Sequence, residues 1–474
     1  MTTQPPDTAT ELHAAVGAAG TPTTPRHPVN EPMIVHWCDA MGDANPCYTD
    51  AAFAAGSVHG GLVAPPAMLD VWDRPGLHFA RDGSSPRTGV LNTLFAQGFD
   101  SILAVNTELE LTRYARPGEW LSSTEILADI SPLKHTSRGP GHFLTTRHRY
   151  VNQDGEHLGD LMFRILVFRP DVDERATKGS SSGATPPSAD PALRPQPAIN
   201  EDNAFFWEGA RQHELRVQQC RGCGVLHSPP GPRCGECGSF DMGWLVASGR
   251  GSLYSFAVPE HPRVAGFAYP LCVGLVELQE GTRLVANVLG VTPLELEVGM
   301  PLELSWLEGG TFPLPQFGPP APERRTDTVP AGEVVAGQAM GLCSIPVTAT
   351  LVVAGAIATR DYTAVHHDPA VARREGSQDI FPNINTTVGL VQRVVTDWLG
   401  PEIVFASIRL RLGVPAYPGE LLTFSGTVVS ADPITGAVAL AVTVADSLGD
   451  HGVATVELLL PTGSGRRASD GGAK

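Results

Sequence analysis

Residues 361 to 370 read Asp361-Tyr-Thr-Ala-Val-His366-His-Asp368-Pro-Ala370, and about 320 residues earlier the chain reads Asp43-Ala-Asn-Pro-Cys-Tyr48-Thr-Asp50-Ala-Ala52. Both fit one frame: Asp, four residues, an aromatic ring, one residue, Asp, one residue, Ala. In the later copy the ring is a histidine, which exchanges a proton near neutral pH, and in the earlier copy it is a tyrosine, which keeps its proton there. The pair reads as one reactive and one unreactive version of a single unit.

A second landmark recurs in the same order. Pro117-Gly-Glu-Trp-Leu121 and Pro418-Gly-Glu-Leu-Leu422 each precede a long run of strand-forming residues, so the two regions are an internal repeat. In the first copy strands are predicted by SILAVNTELELTRY, EWLSSTEILADI, HFLTTRHRYV and DLMFRILVF, with a hairpin turn at Asn152-Gln-Asp-Gly155. In the second they are predicted by IVFASIRLRL, LLTFSGTVVSA, AVALAVTVAD and VATVELLLP. Each copy also predicts one helix. That of the second copy starts where Asn385 or Thr386 can cap it, carries an apolar stripe of Val388, Val391, Val394, Val395 and Trp398, and stops at Gly400-Pro401. That of the first copy is expected to begin near Pro65-Pro66. The fold class is therefore α+β, with a long helix wrapped by antiparallel sheet in each copy.

At 474 residues the chain exceeds what one core normally organises, and 42% hydrophobic residues with 18% charged ones suit folded domains. A net charge of -17 works against a general nucleic-acid or anionic-membrane binder. No window approaches ~18 uninterrupted apolar residues, so no spanning helix is expected, and the N-terminus does not read as a secretory signal. A cytoplasmic protein is expected. Two stretches rich in Pro, Ser, Gly and Ala, 171–199 and 309–338, read as linkers. The expected plan is a disordered tail over 1–28, a first repeat over 29–170, a middle domain over 200–308 and a second repeat over 339–464.

The middle domain contains Cys220-Arg-Gly-Cys223, ten further residues and Cys234-Gly-Glu-Cys237. Each pair forms a tight turn that offers two thiolates to one tetrahedral ion, and four thiolates leave no position open for water. Structural zinc is the favoured reading; a lost metal or a redox role are the alternatives. From Ser248 to Trp306 short strands alternate with glycine turns, the rhythm of a small five-stranded barrel.

Asp361 and His366 converge only if Asp361 lies on a loop and His366 near the start of the next helix, because positions five apart on one helix diverge by about 140°. Converged, a carboxylate and an imidazole hold a water between them and pass its proton on, which suits adding water to an activated double bond. A solvated loop explains such a pair equally well, and His367 is a rival for the functional ring.

The segment from Asp361 to Ala370 resembles the motif of the MaoC-like, or R-specific, enoyl-CoA hydratases: Asp, four residues, His, one residue, Asp, one residue, Ala or Ser. The resemblance selects His366 over His367 and implies the hot dog fold. Thr363-Ala364 replaces the usual Asn-Pro of the motif, which survives as Asn45-Pro46 in the copy that lost its histidine. The middle segment is similar to the zinc-ribbon and OB-fold domains found beside thiolases and other acyl-CoA enzymes. The order as a whole resembles a single-chain fusion of the two-subunit enoyl-CoA hydratase of bacterial cholesterol side-chain degradation.

What the resemblance implies is a hydro-lyase acting on a bulky 2-enoyl-CoA, in which two hot dog domains form a pseudo-dimer with one silent half. Asp361 and His366 position the water, and backbone N–H groups at Asn385, Thr386 and Thr387 receive the thioester oxygen's charge. It also implies zinc on Cys220, Cys223, Cys234 and Cys237, no organic cofactor, and a thiolase-like aldolase docking on the middle domain. No nucleic-acid partner is expected, and a homodimer of the whole chain is left open. A dehydratase of fatty-acid or polyketide synthesis and a non-enzymatic acyl-CoA scaffold are the competing functions.

Overall fold

The computed structural model describes residues 12, 14–23, 25–78, 85–170, 193–267, 269–291, 293, 296–307, 311–320 and 324–462. The first repeat opens with α1 (Glu31–Met41), and α2 (Pro86–Ala96) precedes its strands β1 (Ser101–Leu111), β2 (Ser122–Ile130), β3 (Lys134–Thr136), β4 (Gly139–Val151) and β5 (His157–Phe168). The zinc-ribbon region holds β6 (Arg216–Cys220), β7 (Leu226–His227) and β8 (Met242–Val246). A closed barrel follows, of β9 (Arg250–Ala257), β10 (Val273–Leu278), β11 (Arg283–Val288), β12 (Pro301–Leu307) and β13 (Leu314–Gly318).

The second repeat runs β14 (Ala339–Pro346), α3 (Ala349–Ala358), α4 (Pro369–Arg374), α5 (Ile384–Leu399), β15 (Val404–Leu412), β16 (Leu421–Ala431), β17 (Ala437–Asp446) and β18 (Gly449–Leu459). The two repeats share one sheet in the order β14-β16-β17-β18-β15-β1-β5-β4-β2. They meet where β1 pairs antiparallel with β15, Leu109 facing Ile408. This is a double hot dog with a zinc ribbon and an OB-type barrel inserted between its halves.

Helix α5 is the axis around which the halves close. Asn383 caps it, its side-chain oxygen accepting from the Thr386 amide at 2.8 Å, one residue pair earlier than the sequence placed the cap. Almost every side chain of α5 is buried, because β14, β15 and β1 pack against it and α1, α3 and the turn Pro66–Met68 cover it. Gly389 permits that close crossing: a Cβ there would lie 2.9 Å from the Trp37 ring and 3.1 Å from the Met41 sulfur. Val438, Leu440, Val442 and Val444 alternate inward along β17, and together with Trp37, Tyr48 and Met68 of the first repeat they belong to one core shared by both halves. The core ignores the boundary between repeats.

Three further expectations change. The helix foreseen near Pro65-Pro66 is a single 3-10 turn, Pro66–Met68, so among the described residues the first repeat has no counterpart to α5. The tail assigned to 1–28 is partly built into the sheet, since Gly17, Gly20 and Thr23 donate backbone hydrogen bonds to Leu127, Glu125 and Ser123. These bonds cover the exposed edge of β2, which composition alone did not reveal. The linker assigned to 309–338 contains β13, which closes the barrel between β11 and β12. Past it, Arg325 and Val329 donate their amides to the Asp397 and Leu399 carbonyls at the end of α5. Residues 171–192 of the other linker lie outside the described residues.

Candidate active site

Asp361 stands just past α3, after Arg360 turns the chain at φ +53, and its amide donates to the Ala356 carbonyl at 2.9 Å. One carboxylate oxygen accepts from the Thr363 amide at 3.2 Å and from its hydroxyl at 2.6 Å. His366 ends the 3-10 turn Ala364–His366, directly before α4. Asp361 thus lies on a loop and His366 at the approach to a helix, the arrangement that convergence requires. The other carboxylate oxygen faces His366 Nε2 at 3.6 Å, and His366 Nδ1 pairs with the Phe381 carbonyl at 2.7 Å. The carbonyl can only accept, so Nδ1 carries the proton and neutral His366 presents a lone pair at Nε2. His367 is exposed and points into no cavity wall, leaving His366 as the ring within reach.

The second aspartate of the motif does a different job. Asp368 caps α4 by accepting from the Ala370 and Val371 amides, and Asp50 does the same for Ala52 and Phe53 in the first repeat. Its spacing to Ala is helix-capping geometry rather than chemistry.

Charge favours the working protonation states. Burial pushes the Asp361 carboxyl up, but the Arg74 guanidinium, His366 and the Thr363 hydrogen bonds outweigh it, so Asp361 titrates below the ordinary carboxylate value. Burial holds His366 below the ordinary imidazole value despite the pull of Asp361. At neutral pH the site pairs a carboxylate with a neutral imidazole.

Asp361 and His366 open into a cavity of about 1320 Å³ lined by both halves. This exceeds the range of ~300–1,000 Å³ usual for small-molecule sites. Across from the pair the first repeat contributes Asp70, Asp73, Arg74 and Tyr150. Arg74 Nε donates to Asp70 at 3.0 Å, and Asn385 Nδ2 donates to the same oxygen at 2.9 Å. Asp73 accepts from the Thr23 hydroxyl at 2.9 Å and from the Ser123 hydroxyl. A long apolar wall comes from β1 and β5 through Leu103, Val105, Leu161, Phe163 and Ile165.

Of the residues expected to receive the thioester oxygen, Thr386 has its amide taken by Asn383, and Thr387 donates its amide to the Asn383 carbonyl at 3.3 Å. Thr387 is fully buried with its hydroxyl 3.0 Å from His451 Nε2. Only Asn385 of the three is left with an amide outside the cap. Arg74, Asp70, Asp73, Tyr150 and His451 were missed by sequence reading: isolated residues on separate strands and turns, they form no motif. Only the repeat offset, which equates residues of the two halves, held a usable signal.

The first repeat's version of the site is filled with protein. Gln392, from α5, donates to Asp43 at 3.2 Å and to the Tyr48 hydroxyl at 3.4 Å, while its oxygen accepts from the Ala67 amide at 2.9 Å. All three polar side chains are buried. Burial, reinforced by Asp397, lifts the Asp43 carboxyl to about 6.

In the ribbon the four cysteine sulfurs lie within 4.8 Å of one another, with Cys220 to Cys237 at 3.5 Å and Cys223 to Cys234 at 3.6 Å. Sulfurs around one tetrahedral zinc at ~2.3 Å stand about 3.8 Å apart, so the set fits that ion. No helix among the described residues is long and apolar enough to cross a membrane.

Three family models match: a FAS1-like dehydratase domain region over residues 14–161, the rubredoxin-like zinc ribbon domain of ChsH2 over 207–243, and the C-terminal OB-fold domain of ChsH2 over 244–307. Among known proteins the chain is 41% identical over 321 residues to the probable enoyl-CoA hydratase alpha subunit of Thermomonospora curvata, covering 66% of this chain and 97% of that one. It is 36% identical over 300 residues to the 3-oxo-4,17-pregnadiene-20-carboxyl-CoA hydratase alpha subunit of Mycobacterium tuberculosis, covering 63% and 93%. The beta subunit of that hydratase is 51% identical over 109 residues, covering 23% and 83%. A solved MaoC-like dehydratase superposes with a TM-score of 0.52 at 16% identity, covering 95% of this chain and 100% of that one, which shows the fold.

Proposed function

The chain belongs to the MaoC-like enoyl-CoA hydratases that carry a zinc ribbon and an OB fold, is a hydro-lyase, and unites alpha-type and beta-type subunits in one polypeptide; from this we propose that it hydrates a bulky, steroid-bearing 2-enoyl-CoA at Asp361 and His366. The single observation that carries the substrate size is the cavity of about 1320 Å³, whose apolar wall of Leu103, Val105, Leu161 and Phe163 from β1 and β5 reaches from the catalytic pair. A fused-ring acyl group is apolar like that wall and large enough to use a cavity of this volume. The relatives named for a pregnadiene carboxyl-CoA point the same way.

In this reading a water bridges the Asp361 carboxylate and His366 Nε2. As its oxygen bonds to Cβ, a proton passes through the pair and returns to Cα, while the charge gathering on the thioester oxygen meets an N–H donor at the head of α5. Asn385 is the donor we assign. Ala67 stands at the equivalent place in the first repeat, and there its amide is met by the Gln392 carbonyl oxygen, a stand-in for a substrate oxygen. Tyr48, buried and with its hydroxyl pushed well above its ordinary value, takes no part in proton transfer.

Cys220, Cys223, Cys234 and Cys237 hold a structural zinc. The middle domain docks a thiolase-like aldolase that consumes the hydrated product. Support for docking comes from a relative 31% identical over 102 residues, named a DUF35 domain-containing scaffold protein of Pyrococcus furiosus. The test is mass spectrometry of products after incubation with short linear, medium and steroid enoyl-CoAs. Addition of 18 mass units to the steroid substrate at the highest kcat/KM is expected, and preference for short linear chains refutes the bulky-substrate reading.

A further inference from the structure

The offset between repeats is 318 positions from Asp43 to Asp361 and from Tyr48 to His366, and the same 318 positions separate Arg74 from Gln392. Arg74 and Gln392 therefore hold equivalent places, and each crosses into the site of the opposite half. Gln392 seals the silent site by bonding Asp43, Tyr48 and the Ala67 amide. Arg74 enters the live cavity opposite Asp361 and His366, gripped by Asp70, which also takes the Asn385 side chain at the head of α5. We infer that Arg74 is a positioning residue for hydration, supplied to the reactive half by the unreactive one, and that its guanidinium holds the Asp361 carboxylate and neutral His366 ready for the bridging water.

This rests on the hydratase reading of the same site. The charge logic has one direction. Asp361 is met by Arg74 from the turn after Pro66–Met68 and by His366 and Thr363 from its own loop; Arg74 is in turn met by Asp70 and by Tyr150 from β4, and His366 by the exposed His367. Arg74 lowers both Asp361 and His366. Removing its charge raises both, and the water-activating state is then lost at a higher pH. A residue that merely filled space would leave that titration where it was.

The experiment is the pH profile of kcat/KM for the full-length wild type, Arg74→Gln, Arg74→Lys and Gln392→Met, on one enoyl-CoA that the wild type hydrates. Arg74→Gln is expected to lose activity ~10-fold or more at pH 6.5, with its acid limb moved up by about one pH unit and activity partly recovered toward pH 8.5. Arg74→Lys keeps the limb within a few tenths of a unit, and Gln392→Met leaves it in place. An unmoved limb in Arg74→Gln, or an equal shift in Gln392→Met, overturns the inference. If Arg74→Gln does not fold, Arg74→Met, which keeps the buried stem, is judged by the same criterion. A wild type inactive on every enoyl-CoA overturns the hydratase reading itself, whereas an active wild type with an unmoved limb overturns only the role of Arg74.

Discussion

Replacing Asp43 by Asn tests the claim that the first-repeat site is a sealed remnant. Asp43 is almost wholly buried, and its carboxyl lies near 6 instead of 3.8, chiefly through burial. In the unfolded chain it titrates near 3.9, so between about pH 4 and pH 6 the folded protein holds a proton that the unfolded chain has released. A raised folded value means the stability is fully present below the unfolded pKa and is lost as pH rises through the folded one. A difference of about two units corresponds to roughly 3 kcal/mol, complete above pH 6.

Asp43 accepts through both oxygens, from the Asn45 amide at 3.0 Å and from Gln392 at 3.2 Å, whereas asparagine has one acceptor oxygen and turns its NH2 toward the other donor, so one bond is lost at a cost of about 1–2 kcal/mol at every pH. The two effects cross. Near pH 4.5 Asp43→Asn is expected to be less stable than wild type by about 1 kcal/mol, and at pH 7.5 more stable by about 1–2 kcal/mol, a few degrees in melting temperature in each direction. Differential scanning calorimetry of both proteins from pH 4.5 to 8 reads the crossing, with hydratase activity at pH 7.5 expected within threefold of wild type. A melting difference of one sign and constant size across that range would falsify the account of Asp43, and loss of activity would show that the sealed site is not silent.

Three other outcomes are expected. Asp361→Ala and His366→Ala each lower kcat by about 10³-fold or more with the melting temperature within a few degrees, whereas Tyr48→Phe retains most turnover; comparable losses in all three would unseat the catalytic pair. In the wild type the acid limb of kcat/KM falls below pH 6.5, because burial lowers His366 and its neutral form is the active one; a limb above 6.5 points to a different base. Elemental analysis should find one zinc per chain, and Cys234→Ser should release it and lower the melting of the ribbon while the Asp361 and His366 chemistry persists; full zinc content in that variant excludes the four-cysteine site.

The strands of both repeats were legible because their apolar residues alternate and turn residues bound them, and the hairpin at Asn152 to Gly155 follows local rules of backbone conformation. Helix α5 was legible from its valine stripe and terminal glycine. Its cap moved to Asn383, since Asn383, Asn385 and Thr386 are all capable caps and the extended backbone that a cap needs falls at Asn383. The first-repeat helix was misjudged because proline favours both a helix start and a single 3-10 turn, and tertiary packing made the choice. Strand β13 was hidden by Pro315 within it and by Pro313 and Pro319 on either side, yet Pro315 still takes its place in the ladder opposite Trp306. Asp361 and His366 share a short motif, so they could be found; Arg74, Asp70 and Tyr150 reach the site through the meeting of two repeats, information that no local window contains.

The shared core and the β1 to β15 seam have a kinetic meaning as well as a geometric one. Were the two halves separate polypeptides, a complete cavity would exist only while they remained associated, and dilution would empty it. Here the two walls are tied by one chain, so their encounter is intramolecular, governed by an effective concentration that does not fall when the protein is diluted. Activity per chain should therefore be independent of enzyme concentration down to the lowest level an assay can detect. The seam has only to keep the halves aligned, because the peptide linkage already keeps them together.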